Sequence, residues 1–442
     1  MFNNIMKFGI ETPRNIGEIR PVSDSEVERF AVVLSNIPDL RNLTFTTCCD
    51  VQRNYWSDHG RYLSIKLGAL RALHLQGRSL GILTRLATPS IRSIHLDMID
   101  EGAQISQFRY LRVWLQAHSQ GLERIEISNM RSMLFTRPQA EDDLSPQSCM
   151  FPSLTHIHAC SDPWTMTALL RLICAPALTE VFLGLHPSTE RSSLIGFFES
   201  VSPNLRTAHI GPGPLSMSGG NQRLDSTEQE YTVISPRIIF HDLVKFVSEL
   251  YVGGAVIAAS KSAPKLEFLT LAGSMDRHTW VEREPALPSA PFLHAPCLHT
   301  FVINGFSPAC SSVDAPSLKH LRILAVRQHL SGDPPAPFET AALIRIITRF
   351  AASLEHLEMH QAIRGVSQTR PPLLLLDWEE LMFPRLRTLF IMPYDEFIEK
   401  IVAPELQVLY LAQTSHSSPE WANLDGVSAA TTLILGSSFS DK

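Results

Sequence analysis

The sequence has no apolar run approaching the ~20 residues that a membrane-spanning helix needs. Its most apolar stretch, Val252 to Ala259, is far shorter. Met1 to Ile10 lacks a long apolar segment of the kind that opens a secretory leader. Charge is sparse and nearly balanced: 38 Lys and Arg against 44 Asp and Glu give a net charge of −6, with no basic run. That argues against nucleic acid or an anionic membrane as partner. The 7 cysteines are odd in number and include no Cys-x-x-Cys pair, which argues against a disulfide framework and a zinc ribbon. The expectation is an intracellular protein, cytoplasmic or nuclear. Missing too are a P-loop, a Gly-x-Gly-x-x-Gly, a Gly-x-Ser-x-Gly and a His-Glu-x-x-His, so no common catalytic signature and no cofactor is expected. At 44% hydrophobic over 442 residues, the chain carries enough apolar side chains to exclude a disordered tail.

Proline is plentiful, at 30 residues, and its placement is informative. A short phrase recurs: a small or apolar residue, often Pro, one further residue, then Leu-x-x-φ-x-φ, where φ is apolar. The anchors are Leu40, Leu70, Ile91, Leu122, Leu154, Leu178, Leu205, Leu266, Leu298, Leu318, Leu354, Leu386 and Leu406, which makes 13 units. Spacings run mostly from 20 to 36 residues, with one gap of 61 between Leu205 and Leu266. The φ-x-φ ending has the period of a strand with one buried face.

Helical spacing precedes several copies: Val27, Phe30, Ala31 and Leu34; Met166, Leu169, Leu170 and Ile173; Leu194, Phe197, Phe198 and Val201; Phe240, Leu243, Val244 and Val247; Leu343, Ile346, Ile347 and Phe350. Ser23 and Glu26 offer a capping box to the first of these. Pro then reads as the stop to each helix. Units of about 20 residues hold a strand and a loop only. Many short strands sharing one phrase favour a solenoid over a doubly wound sheet, whose strands are fewer and longer. The predicted fold is α/β: parallel strands lining a curved, concave sheet, with helices and loops on the convex side.

The Leu-x-x-Leu-x-Leu core, with its Ala-Pro lead, resembles the divergent leucine-rich repeats of fungal F-box/leucine-rich-repeat proteins. The resemblance covers about Ser23 to Leu435. It implies a noncatalytic recognition domain, the substrate-recognition part of a ubiquitin-ligase adaptor. The chain departs from the family in two ways. The position that holds Asn or Cys in the family consensus carries Cys48, Arg78, Ile99, Met130, Asp162 and His186 here. The F-box is missing, since Met1 to Pro21 is too short to hold one. A Skp-type adaptor is therefore expected only if an F-box exists outside this chain.

The expected organisation is an edge strand, around Lys7 to Ile10, in a poorly capped segment at 1–22, the solenoid at 23–435 with a polar insertion at about 211–235, and a tail at 436–442. Arg137 to Gln147, Glu282 to Pro291 and Ser331 to Pro337 read as surface loops. The string His356, Glu358, His360 has the spacing of metal ligands but falls on a repeat strand, where an exposed strand surface is the plainer reading; no metal site is expected. Vicinal Cys48 and Cys49 read as strand-end thiols. Gly211 to Pro214 suits phosphate only at a helix start, and its prolines remove the N–H donors such a site needs.

Aligning the phrases brings out one constellation. The positions flanking the middle φ point away from the core. They gather His74, His95, Glu126, His156, His158, Phe182, His209, Arg322, Glu358, Phe390 and Tyr410, and 7 of the 17 histidines fall on this face. The expected role is binding an unknown protein or peptide partner on the concave face. The alternatives are a free-standing scaffold unrelated to ubiquitin, and an enzyme in a degenerate α/β fold.

Overall fold

The computed structural model describes residues 5–10, 32–34, 36–37, 39–47, 65–77, 83, 86–97, 105–130, 148–186, 189–213, 237–249, 252–272, 293–304, 310, 312–324, 346–360, 380–392, 400–413 and 425–437. The chain divides into two units, Met1–Gln222 and Arg223–Lys442. In the first unit eight parallel strands lie side by side in chain order: Ile5–Ile10, Asn42–Thr47, Ala72–Gly77, Ser93–Asp97, Arg124–Met130, His156–Ser161, Glu180–Leu185 and Thr207–Pro212. The second unit has eight more: Lys245–Ser248, Phe268–Ala272, Thr300–Asn304, His320–Leu324, His356–His360, Thr388–Met392, Val408–Gln413 and Thr432–Ser437. The fold is thus α/β with a long parallel sheet and few helices, stacked in the manner of a solenoid. Each of the 13 phrases supplies one strand.

The phrase works by burial. All 13 anchors are at most 1% exposed, and the φ-x-φ residues beyond them alternate with half-exposed neighbours, as in Ser93–Asp97 and His356–His360. Burying each such side chain contributes roughly 1.5–3 kcal/mol. Proline has a different role from the one expected. Most of the prolines in the repeat phrase follow a short strand on the far side of the unit rather than a helix: Ile173–Cys174, Leu293–His294, Val313–Asp314, Leu381–Met382 and Ile401–Val402 each run into Ala-Pro or Phe-Pro. The anchor N–H then donates back to the residue before Pro, as in Leu178 to Ala175 (3.1 Å), Leu266 to Ala263 (3.1 Å) and Leu406 to Ala403 (3.1 Å). Pro sits second in a β-turn, where its fixed φ fits and no N–H is needed. Among the described residues only Pro203, in Ser202-Pro203, follows a helix directly.

Four helices are fully described: Ile105–His118, Pro163–Leu172, Arg191–Val201 and Val252–Ala258. The expected helices before Leu178 and Leu205 are present; residues 32–34 and 346–350 of those before Leu40 and Leu354 are helical. The helix Ile105–His118 was not foreseen, although Leu111, Trp114 and Leu115 bury one face of it. The set Phe240, Leu243, Val244 and Val247 is not helical: it is a bend leading into the strand Lys245–Ser248. Leu-x-x-φ shares its i, i+3 spacing with a helix, and Leu243 and Phe246 are fully buried as repeat stations while Val244 is exposed. This strand, with Leu243 as its anchor, divides the 61-residue gap into 38 and 23 residues.

The edge strand is Ile5–Ile10, in full register with Asn42–Thr47. Gly211 and Pro212, read above as the start of the insertion, complete the strand Thr207–Pro212; the stretch 214–235, the other surface loops and Cys48-Cys49 lie outside the described residues. At the family's Asn position, Asp162 instead caps a helix, its carboxylate accepting the Thr165 N–H at 3.2 Å. Among the described residues no helix is long and apolar enough to cross a membrane.

Candidate functional site

Strand alternation sends one side chain per strand into a middle column on the half-exposed sheet face, and parallel register brings those columns together. In the first unit Thr44, His74, His95, Glu126, His158, Phe182 and His209 are direct cross-strand partners in that order. The His74 and His95 rings stack at 4.2 Å, with planes 13° apart. His95 Nδ1 lies 3.4 Å from the Glu126 carboxylate. Phe182 packs between His158, at 4.4 Å, and His209, edge-on at 4.7 Å. One station earlier along each strand, Arg124, His156 and Glu180 form a flanking column, with His156 Nε2 3.5 Å from Glu180.

Burial sets the proton affinity of two of these rings. His74 is pushed below the ordinary imidazole value by loss of solvent and then by its neighbour His95, which together outweigh the pull of Asp97 and Glu126. His158 is lowered by burial too, against the opposing charge of Glu126. At neutral pH both rings are uncharged, and each uncharged imidazole carries one donor and one acceptor nitrogen. Cys160, one station beyond His158, has its thiol pushed up by burial and is not poised as a thiolate nucleophile.

In the second unit the middle column runs Val247, Thr270, Val302, Arg322, Glu358, Phe390, Tyr410 and Ile434, again as direct partners. Arg322 Nε meets Glu358 at 3.0 Å, and His360 Nε2 also contacts that carboxylate. Phe390 and Tyr410 stack at 4.2 Å with planes 7° apart, and His360 leans on Phe390 at 4.7 Å. In the flanking column His320 and His356 stack at 4.4 Å, 4° from parallel. Burial, and then the adjacent His356, lowers the proton affinity of His320.

The structure therefore gathers seven of the eleven expected site residues on the first unit's face and four on the second's. His356, Glu358 and His360 share a strand face, and among the described residues no group of three or more such side chains is arranged to hold a metal ion. Sequence reasoning missed the rows of Val247 and Ile434. Their phrases are Leu243-x-x-Phe246-x-Ser248 and Ala430-x-x-Leu433-x-Leu435, in which Ser replaces the last apolar residue and Ala the anchor. The turn hydrogen bond survives in the second, from Ala430 N–H to Val427 at 3.1 Å. Compared with known proteins, the chain matches no family model and no curated protein.

Proposed function

We propose that this chain is a noncatalytic recognition domain of the leucine-rich-repeat kind, and that the sheet face bearing the two columns holds a protein or peptide partner. One observation carries the reading: on the 13 rungs that carry the phrase, every core station whose burial is described is apolar and buried, while the station between them varies freely and stays open to solvent. A repeat scaffold that keeps its core and diversifies its face is built for contact. The stacked pair Phe390 and Tyr410 supplies the large, rigid surface that dominates many interfaces. Following the resemblance to F-box proteins, the partner is a substrate brought to a ubiquitin ligase, and a Skp-type adaptor is engaged only where an F-box exists outside this chain.

The test starts from affinity purification of the intact chain from its own cells, followed by binding of the purified partner to Phe390→Ala/Tyr410→Ala. The variant is expected to bind at least about tenfold more weakly, the loss of roughly 1.4 kcal/mol or more that interface aromatics contribute, with unchanged circular dichroism. Unchanged affinity would move the site elsewhere. Copurification of a Skp-type adaptor with this chain alone would overturn the need for an F-box outside it.

A further inference from the structure

The charge of the chain is sparse, yet the fold concentrates part of it. Arg41, Arg71 and Arg92 each follow a repeat anchor directly. The Arg41 carbonyl accepts the N–H groups of Arg71 (2.7 Å) and Ala72 (3.0 Å), and the Arg71 carbonyl those of Arg92 (2.8 Å) and Ser93 (3.0 Å). The Arg92 carbonyl does the same for Glu123 (2.7 Å) and Arg124 (3.0 Å). These shared bonds fix the three arginines at one station on three successive rungs, ~4.8 Å apart. All three side chains are exposed, as is Arg124 one residue further along the next rung. Arg92 pairs with Glu123. Among the described residues Arg41, Arg71 and Arg124 make no ion pair; the acidic residues nearest them in sequence are Asp39, in the turn before Arg41, and Glu123, which precedes Arg124 and is taken up by Arg92.

The same station in the second unit reads Val244, Glu267, His299, Lys319, Glu355, Arg387 and Gln407. There a carboxylate stands between the cations. Lys319 meets Glu355 at 3.0 Å, and the Glu355 carboxyl is held below its ordinary value by Lys319 and then, more weakly, by Arg387. The arginine row is therefore a property of the first unit alone and not of the repeat.

We infer that the rim formed by Arg41, Arg71, Arg92 and Arg124 docks an extended acidic segment of a partner protein, its Asp and Glu carboxylates lying across the rungs. This inference rests on the recognition reading above and names the chemistry of the partner. Guanidinium groups bind carboxylates bidentately, and a row of them at rung spacing offers a donor to each acidic side chain that crosses it. A nucleic acid fits less well. Its continuous negative charge would run onto Asp97, Glu126 and Glu180 on the adjoining face of a chain whose net charge is −6. A short acidic segment can end before them.

The experiment uses the full chain and a fluorescein-labelled peptide alternating Glu with Ser, read by anisotropy at low ionic strength. The peptide is expected to bind, to weaken steeply as salt rises, and to lose about tenfold in affinity with Arg41→Glu/Arg71→Glu, as charge reversal at a contact does. Arg387→Glu, in the second unit, should leave binding unchanged, and a Gln-for-Glu peptide should not bind. Absent binding of the Glu peptide, equal loss with Arg387→Glu, or tighter binding of an oligothymidylate than of the peptide would each overturn the inference. The recognition reading would survive such a result as long as Phe390→Ala/Tyr410→Ala still weakened the purified partner.

Discussion

The two units are built on the same rung but finished differently. In the first, the helices Pro163–Leu172 and Arg191–Val201 back successive strands, tied by Arg171, whose guanidinium donates to Ser193 Oγ at 2.8 Å and pairs with Glu190. Its exposed column is rich in imidazole. In the second unit the backing is mostly strands of two or three residues, such as Ile238–Ile239, Ser260–Ser262, Leu293–His294 and Val313–Asp314, plus the short helix Val252–Ala258. Its exposed column is apolar and aromatic around one ion pair. Backing and face thus vary independently while the Leu-x-x-φ-x-φ core recurs on 13 rungs. The core carries the stability, and the face is free to carry specificity.

The sharpest way to break this comparison is to cut each core. Phe198 is fully buried, with its ring 5.5 Å from that of Phe197; Phe301 is fully buried against Phe350, at 6.5 Å. Either Phe→Ala should cost about 3–5 kcal/mol. In a stack of repeats that loss stays with neighbouring rungs. Hydrogen exchange should therefore rise across residues 156–212 for Phe198→Ala and across 300–360 for Phe301→Ala. Phe182→Ala, on the face, should leave both regions protected. Loss of protection throughout the chain from either core variant would mean that the two units fold as one.

The rung was legible in the sequence because its signal is periodic and its cause is burial. Thirteen anchors, mostly at 20- to 36-residue spacing, could be aligned, and the column positions of His74 through Tyr410 followed by counting. What failed was whatever the phrase shares with other structures. Leu243 and Phe246 satisfy a helix and a strand phrase equally, and only packing decides between them. The helix Ile105–His118 sits where a Leu-anchored unit could equally have held a loop. Proline was read as a helix stop, although the same fixed φ also suits the second place of a turn. The arginine row was invisible because its members are 30 and 21 residues apart and form no run; the three become neighbours only through cross-strand register.

Two glycines sharpen the contrast between backing and face. A Cβ on Gly426 would lie 2.0 Å from the Ile401 carbonyl oxygen, which belongs to the backbone and cannot rotate away. Gly426→Ala should therefore displace the turn whose carbonyl accepts the Ala403 N–H, and cost about 3 kcal/mol or more, at the upper end for overpacking. A Cβ on Gly184 would meet Cys160 Sγ at 2.3 Å and its Cβ at 2.9 Å, a side chain on the next strand. Gly184→Ala should cost about 1–3 kcal/mol. Adding Cys160→Gly should recover part of that, whereas no single side-chain truncation should rescue Gly426→Ala. Urea denaturation of the three variants checks the ranking; equal costs with no recovery would show that the sheet face is as tightly constrained as the turn.

The smallest expected effect is a difference in acid sensitivity. His74, His158 and His186 in the first unit, and His320 in the second, all hold their protons less tightly than an ordinary imidazole, in each case chiefly because burial disfavours the charged ring. His95 adds repulsion at His74, and His356 at His320, while Asp97 and Glu126 pull the other way at His74, Glu126 at His158, and Glu355 at His320. An unfolded imidazole titrates near about 6.5. Between that value and the lower folded one, the unfolded chain binds protons that the folded chain refuses. Stability from these groups is therefore fully present above about pH 6.5 and falls as pH drops through the folded values. Three such rings against one predict that acidification from about pH 7.5 to 5.5 loosens the first unit more than the second. Hydrogen exchange corrected for intrinsic rates should show protection falling faster in 72–97 and 156–186 than in 268–324. His74→Gln/His158→Gln/His186→Gln should flatten the first unit's slope and leave the second's alone. If protection rose on acidification instead, the carboxylates Asp97 and Glu126 would outweigh burial, and the first unit's face would become more stable as it gained charge.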